Sequence, residues 1–314
     1  MRVQAISIGR HAARGRFNGA VHSVFLRAAN IRLDDGRLLA LLAPRSGNAP
    51  HGVRLAVPED FAFSDHLAPG RRAGCRADVL RIAQAGVSFD LGTAELWEGD
   101  APCAGVDWRR PRTSAAWRTA WQALRRRPCA QALGPSSPPG PEAARGPTVL
   151  PDALNLARAT RMLSPEQAAL AARRLIGRGP GLTPAGDDVI AGFLGALWSA
   201  IGGDPARGAF VGALGAAVGR MAAATGEISQ AYLRLAVVGS LAQPLAELRR
   251  RIGAGAPAPA IESAMAKALG VGHTSGEDGA LGLLLGLAAW GPDALFAAAR
   301  GGGGMPAREA GRDG

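Results

Sequence analysis

Lysine is nearly missing from this sequence. Lys267 is the only one, so a formal net charge of +11 at pH 7 and a pI near 11.2 rest almost wholly on arginine. A basic chain first suggests nucleic acid or an anionic membrane surface as partner. The arginines are scattered among alanine and glycine through nearly every segment, however. The densest run, Arg125-Arg126-Arg127, enters a Pro/Ser/Gly-rich stretch with no aromatic residues on which bases could stack. The sequence therefore predicts no nucleic-acid function, and only weak, non-specific DNA binding at physiological salt.

Cysteine is scarce as well. Cys75, Cys103 and Cys129 are odd in number, far apart and without a Cys-x-x-Cys pair, which argues against a disulfide framework or a cysteine zinc site and points to a reducing cytoplasm. Long apolar runs are missing too. The opening MRVQAISIGRHAARGRF has no signal-peptide core, and Val189 to Ile201 and Gly279 to Trp290 fall short of the roughly 18 residues of a membrane span. No membrane partner is expected. HExxH, a Walker A loop and a Ser/His/Asp order are absent, and no organic cofactor is indicated. His22, His51 and His273 lack metal-ligand spacing and read as structural hydrogen-bonders.

What is present divides the chain by periodicity. From Val21 to Val57 the text is strand-like, with VHSVFLRAANIRL and RLLALLA flanking the turn signal Asp34-Asp35-Gly36. Further strands are expected at Val53 to Val57, Ala85 to Leu91 and Ala94 to Trp97. Later, Trp117, Trp121 and Leu124 fall on one helical face, a packing pattern. The expected fold class is α+β: a β-rich module over residues 1–127, a Pro/Gly/Ser-rich linker over 128–150, a Gly/Ala-rich helical module over 151–300 and a disordered tail over 301–314.

The chemistry concentrates at helix starts. Ser164-Pro165-Glu166-Gln167 is a capping box that predicts a helix from Pro165 to about Ile176, stopped by Gly177. After the turn containing Gly179 and Gly181, Thr183-Pro184 reads as an N-cap and first helical residue, which puts Gly186, Asp187 and Asp188 at the opening of a second helix. Acids there complement the helix dipole, an effect of about 0.3–1 kcal/mol each. Asp187, however, shares a stripe with Ile190, Leu194, Leu197 and Ile201, so it points inward and needs a partner. Asp188 heads a stripe of Gly192, Gly195 and Ser199, where another backbone or a ligand can approach closely.

A second copy follows. Gly272-x-Thr274...Gly276-Glu277-Asp278-x-x-x-Gly282 lines up with Gly181-x-Thr183...Gly186-Asp187-Asp188-x-x-x-Gly192 when one deletion is allowed. Ser275-x-x-Asp278 is a further capping box, with His273 beside it. Two related helix starts are expected to meet in one pocket, where amides and hydroxyls suit an anion and acids suit a hard cation. Between them, Thr225, Glu227 and Ser229 open another helix that carries Tyr232, the only tyrosine.

LIGRGPGLTPAGDDVIAGFLGAL, TGEISQAYLRLAVVGS and GVGHTSGEDGALGLLLGL, with FNGAVHSVFLRAANIRLDDGRLLAL and SGNAPHGVRL before them, resemble the AllH-type family. The resemblance implies a subunit of an oxamate carbamoyltransferase of allantoin breakdown, working with two other subunits on oxalurate and phosphate to give oxamate and carbamoyl phosphate. It marks Gly179, Gly181, Thr183, Pro184, Gly186, Asp187, Asp188, Thr225, Glu227, Ser229, His273, Thr274, Ser275, Gly276 and Asp278. Asp187, Asp188 and Asp278 are the candidate catalytic acids, and Gly179, Gly181, Thr183, Gly186, Thr225, Ser229, His273, Thr274, Ser275 and Gly276 the candidate contacts to a small anionic substrate or phosphate. Mg²⁺ is the candidate metal, on Asp187 and Asp188. A non-catalytic metabolite-binding or assembly subunit, or a stand-alone metal-dependent hydrolase, uses the same residue types.

Overall fold

The computed structural model describes residues 1–99, 105–126 and 149–300. The expected linker, apart from its last two residues, and the expected tail lie outside them, as do Cys103 and Cys129.

Among the described residues, nine strands occupy the N-terminal part: β1 (Arg2–Gly9), β2 (Phe17–Val24), β3 (Ala28–Leu33), β4 (Leu38–Leu42), β5 (Gly52–Leu55), β6 (Arg72–Arg76), β7 (Val79–Ile82), β8 (Ser88–Asp90) and β9 (Glu95–Trp97). They hydrogen-bond in the order β5-β4-β3-β2-β6-β7-β8-β1-β9, and β5 also pairs with β1, so eight strands close into a barrel. Closure is antiparallel, with Ala5 opposite Leu55 and Ile8 opposite Val53. It leaves no exposed edge along those strands. Alternation puts Val3, Val21, Ile31, Leu39, Leu41, Val53, Leu55, Leu80 and Phe89 into one buried cluster. The hairpin at Asp34-Asp35-Gly36 forms as expected, with β3 antiparallel to β4.

The segment VHSVFLRAANIRL, expected as one strand, is two. It breaks at Phe25–Arg27, where the Phe25 amide donates to the Ala28 carbonyl, because β2 must pair with β3 on one side and β6 on the other. Every residue of β4 is buried: Leu39 and Leu41 face the barrel interior, while Ala40 and Leu42 join Ala49 in a small outer cluster. A strand covered on both faces reads as a continuous apolar run.

Helix follows strand. After the single turn α1 (Phe63–His66), the helices are α2 (Pro111–Arg125), α3 (Leu150–Arg161), α4 (Pro165–Leu175), α5 (Ala185–Ala200), α6 (Pro205–Met221), α7 (Glu227–Val237), α8 (Gln243–Gly253), α9 (Ala258–Leu269), α10 (Ser275–Ala289) and α11 (Asp293–Arg300). None of them is long and apolar enough to cross a membrane. Trp117, Trp121 and Leu124 of α2 are buried in the same cluster as the cores of α5 and α10, and the Trp117 indole donates to the Leu284 carbonyl at 2.9 Å. α5 and α10 form the centre of that cluster, side by side with their N-termini at one end.

Barrel and helices meet through polar contacts at the barrel rim. The Gln243 amide donates to the Asn48 carbonyl and its side-chain oxygen accepts from the Asn48 amide at 2.9 Å. His11 Nε2 lies 3.1 Å from the Ser240 hydroxyl, and Arg32 pairs with Glu227 at 3.0 Å.

Candidate functional site

The two helix-start loops meet. Thr183 and Ser275 share a hydrogen bond of 2.8 Å between their hydroxyls, across a sequence separation of 92 residues. Each loop turns tightly against the helix before it: a methyl on Gly186 would lie 1.9 Å from the Leu175 carbonyl oxygen, and one on Gly276 2.0 Å from that of Ala268. Only glycine fits either position, which explains why both loops carry it.

The hydroxyls expected to cap these helices do not cap them. α5 begins after Pro184 and α10 after Thr274, neither with a side-chain cap; the Thr183 and Ser275 hydroxyls bond each other and Asp188 instead. Ser164 likewise makes no cap bond to α4. Thr225 does not cap α7 either; its hydroxyl donates to Asp187 Oδ2 at 2.5 Å.

Asp187 and Asp188 have different surroundings. Asp187 is buried, with Oδ1 accepting from the Gly177 amide at 2.8 Å and Oδ2 from Thr225. It ties the glycine turn to the start of α7, and both its oxygens are engaged. Asp188 is partly buried, and its Oδ2, itself out of contact with solvent, has no hydrogen-bond partner. Burial pushes its carboxyl up to about 8, and the charges of Asp278 and Asp187 add to the rise against the hydrogen bonds of Ser275 and Thr183. Asp278 is raised to about 6, by burial first and then by Glu277, with Thr274 opposing. The acids Asp188 and Asp278 thus feel each other, and their titration belongs to the pair.

The first-turn amides are less available than a helix start implies. Gly186 donates to Arg178, Asp187 and Asp188 to Pro184, Gly276 to Val271, and Glu277 and Asp278 to Thr274. Among the described residues no three of His, Cys, Asp and Glu are grouped to hold a metal ion.

Two residues join the site that sequence reasoning had set apart. Tyr232 on α7 is held up to about 12, by burial first and then by the negative charge of Asp188. His51, on the barrel rim just before β5, packs edge-on to the Tyr232 ring with centroids 5.0 Å apart. Burial, with His11 nearby, pushes the His51 imidazole down to about 4, so it is neutral at physiological pH. Their signal in the sequence was slight: one tyrosine, and a histidine in SGNAPHG. Ser229, one turn before Tyr232, is buried with its hydroxyl unpartnered. Gly179, Gly181 and His273 are exposed on the loops, and the two glycines hold φ of 117° and 94°, where other residues are strained.

A closed barrel whose rim abuts a helical half, with two related helix starts meeting at the Thr183–Ser275 bond, defines a two-part α+β protein. The chain belongs to the AllH family. Residues 4–96 match the AllH family N-terminal domain, and residues 175–287 match oxamate carbamoyltransferase subunit AllH. No solved structure matches the chain.

Proposed function

We propose that this chain is a subunit of an oxamate carbamoyltransferase and that the Asp188 pocket binds oxalurate by its carbamoyl end. The observation that carries this reading is the buried, unpartnered Oδ2 of the partly buried Asp188, beside the Thr183–Ser275 hydroxyl pair at the junction of two helix starts. A carboxyl with a pKa of about 8 is mostly a neutral acid at pH 7, so it can donate a hydrogen bond and give up a proton.

In the forward step a phosphate oxygen bonds to the carbamoyl carbon while the bond from that carbon to the oxamate nitrogen breaks. The electron pair goes to that nitrogen, which takes the Asp188 proton. Asp188 is reprotonated from the protonated phosphate, so protons balance over the cycle. Asp278, weakly acidic for the same reason of burial, holds Asp188 in its acid form by charge repulsion. Asp187 positions the loop through Gly177 and Thr225.

The test is Asp188→Asn in the complex reconstituted with its partner subunits. Turnover should fall at least about a hundredfold, the lower range for loss of a general acid, with assembly unchanged. Full turnover with intact assembly would make the chain an assembly subunit instead.

A further inference from the structure

The loop that brings Thr183 to Ser275 is closed at its base by one residue. Arg178 donates its backbone amide to the Leu175 carbonyl and accepts the Gly186 amide on its own carbonyl, each at 2.9 Å, so the end of α4 and the start of α5 meet there. The neck of the loop is narrow. A methyl on Gly179 would lie 2.8 Å from the Ala185 nitrogen.

The Arg178 side chain leaves the loop for α3. Its Nη1 donates to Asp152 Oδ2 at 2.7 Å, and Arg174 Nη1 lies 3.8 Å from Oδ1 of the same carboxylate. Asp152 sits in the first turn of α3, where an acid complements the helix dipole from the surface. It is only 8% exposed, however, and a dipole partner has no need of burial. A buried carboxylate requires a cation in good geometry. The cation that supplies it is Arg178, since Arg174 is farther away and mostly exposed.

This contact differs in kind from the other anchor of the loop. Asp187 holds the Gly177 amide at 2.8 Å, but Asp187 belongs to α5, the helix that the loop itself opens. Asp152 belongs to α3, whose other end is tied to α10 by the Trp290 indole donating to the Thr160 carbonyl at 3.0 Å. α10 is the helix that presents Ser275. Asp152 therefore fixes the Thr183 loop relative to the element that carries its partner.

We propose that Asp152 is a positioning residue of the site, setting through Arg178 where the loop holds Thr183 against Ser275. This deepens the reading of Asp188 as the substrate-binding acid and rests on it. Asp152 acts on the loop and not on the substrate. Removing its carboxylate lets Arg178, 30% exposed along its side chain, turn to water and release the loop base. Removing Arg178 would instead strand a buried acid, and so would test stability rather than position.

The experiment measures Asp152→Ala in two ways. In the full chain, amide exchange followed by NMR should be at least about tenfold faster at Gly186 and unchanged in the core of α10. In the complex reconstituted with its partner subunits, KM for oxalurate should rise about tenfold or more, because a displacement of about 1 Å suffices for losses of that order. A smaller folded fraction would lower kcat and leave KM alone. Asp152→Asn keeps an oxygen that accepts from Arg178 and should bring KM most of the way back. Wild-type exchange at Gly186 or a wild-type KM in Asp152→Ala overturns the inference, as does an Asp152→Asn protein no better than Asp152→Ala. Asp188→Asn, run alongside, separates the two ideas. If it loses turnover while Asp152→Ala keeps its KM, the inference alone falls; if it turns over like wild type, the reading of Asp188 falls and takes the inference with it. Should Asp152→Ala fail to fold, Arg178→Lys, which keeps a cation for Asp152 on a shorter arm, decides by the same two measurements.

Discussion

Gly192 and Gly282 occupy equivalent places on either side of one helix contact. A methyl on Gly192 would lie 2.0 Å from the Gly279 carbonyl oxygen, and one on Gly282 would lie 1.9 Å from that of Val189. The pairs are reciprocal at a fixed offset of 90 residues, since 192 + 90 = 282 and 189 + 90 = 279. The same offset relates Gly186 to Gly276 and Asp188 to Asp278. α5 and α10 are thus two copies of one element about an approximate twofold, and of the two partners expected along the glycine stripe, backbone or ligand, Gly192 and Gly282 admit backbone.

Substituting these glycines should be severe. Gly282→Ala places a carbon inside the contact distance of a backbone oxygen that cannot rotate away, and should cost about 3 kcal/mol or more, at the upper end of overpacking effects. Gly208→Ala on α6 meets nothing within 4 Å and should stabilise by about 0.5–1 kcal/mol through helix propensity. Urea unfolding of both variants tests the pair. Equal effects would mean the helix contact is not as close as described.

Asp187 and Asp188 should separate stability from function. Asp187→Ala strands the Gly177 amide and the Thr225 hydroxyl, and should cost about 3 kcal/mol. Thr225→Val should cost about 1–2 kcal/mol by removing one of those bonds. Asp188→Asn should leave urea stability at pH 6 near that of wild type. A stable Asp187→Ala protein would remove Asp187 from its structural role.

Stability should depend on pH through Asp188. Its folded carboxyl titrates near 8, against about 4 in the unfolded chain. Between those values the folded form holds a proton that the unfolded form has lost, so wild-type stability falls as pH rises through that window. Asp188→Asn removes this slope. Its Tm relative to wild type should climb from pH 5 to pH 9, by about 5 °C or more at the upper end. A constant difference across that range would mean Asp188 ionises normally.

His51 should act in the opposite direction. Its folded imidazole titrates near 4 and the unfolded one near 6.5, so stability is lost as pH falls through that interval. His51→Gln should flatten the acid limb of the Tm curve between pH 6.5 and 4 and leave the alkaline limb to Asp188. An acid limb that persists unchanged in His51→Gln would place a titrating His51 in solvent.

Several features were legible because the responsible physics is local. The Asp34-Asp35-Gly36 turn, the start of α4 at Pro165, the burial of Trp117 and the inward face of Asp187 follow from turn chemistry and periodicity over a few residues. The β6–β7 hairpin was missed because its turn residues, Ala77 and Asp78, adopt φ of 48° and 57° without a glycine to announce them. β1, with its alternating burial, was passed over because its pairing lies entirely with distant strands.

By itself the sequence determined the change from a two-residue to a helical period, the duplicated loops and the family to which they belong. Tertiary structure alone decided what the polar groups do. A threonine at a helix start can cap that helix or bond elsewhere at similar free energy, so the choice falls to whichever distant group is brought near. Here Thr183 found Ser275, Thr225 found Asp187, and barrel closure carried His51 to Tyr232. Burial then set the protonation of Asp188, because the cost of a charge depends on the solvent that the whole fold excludes.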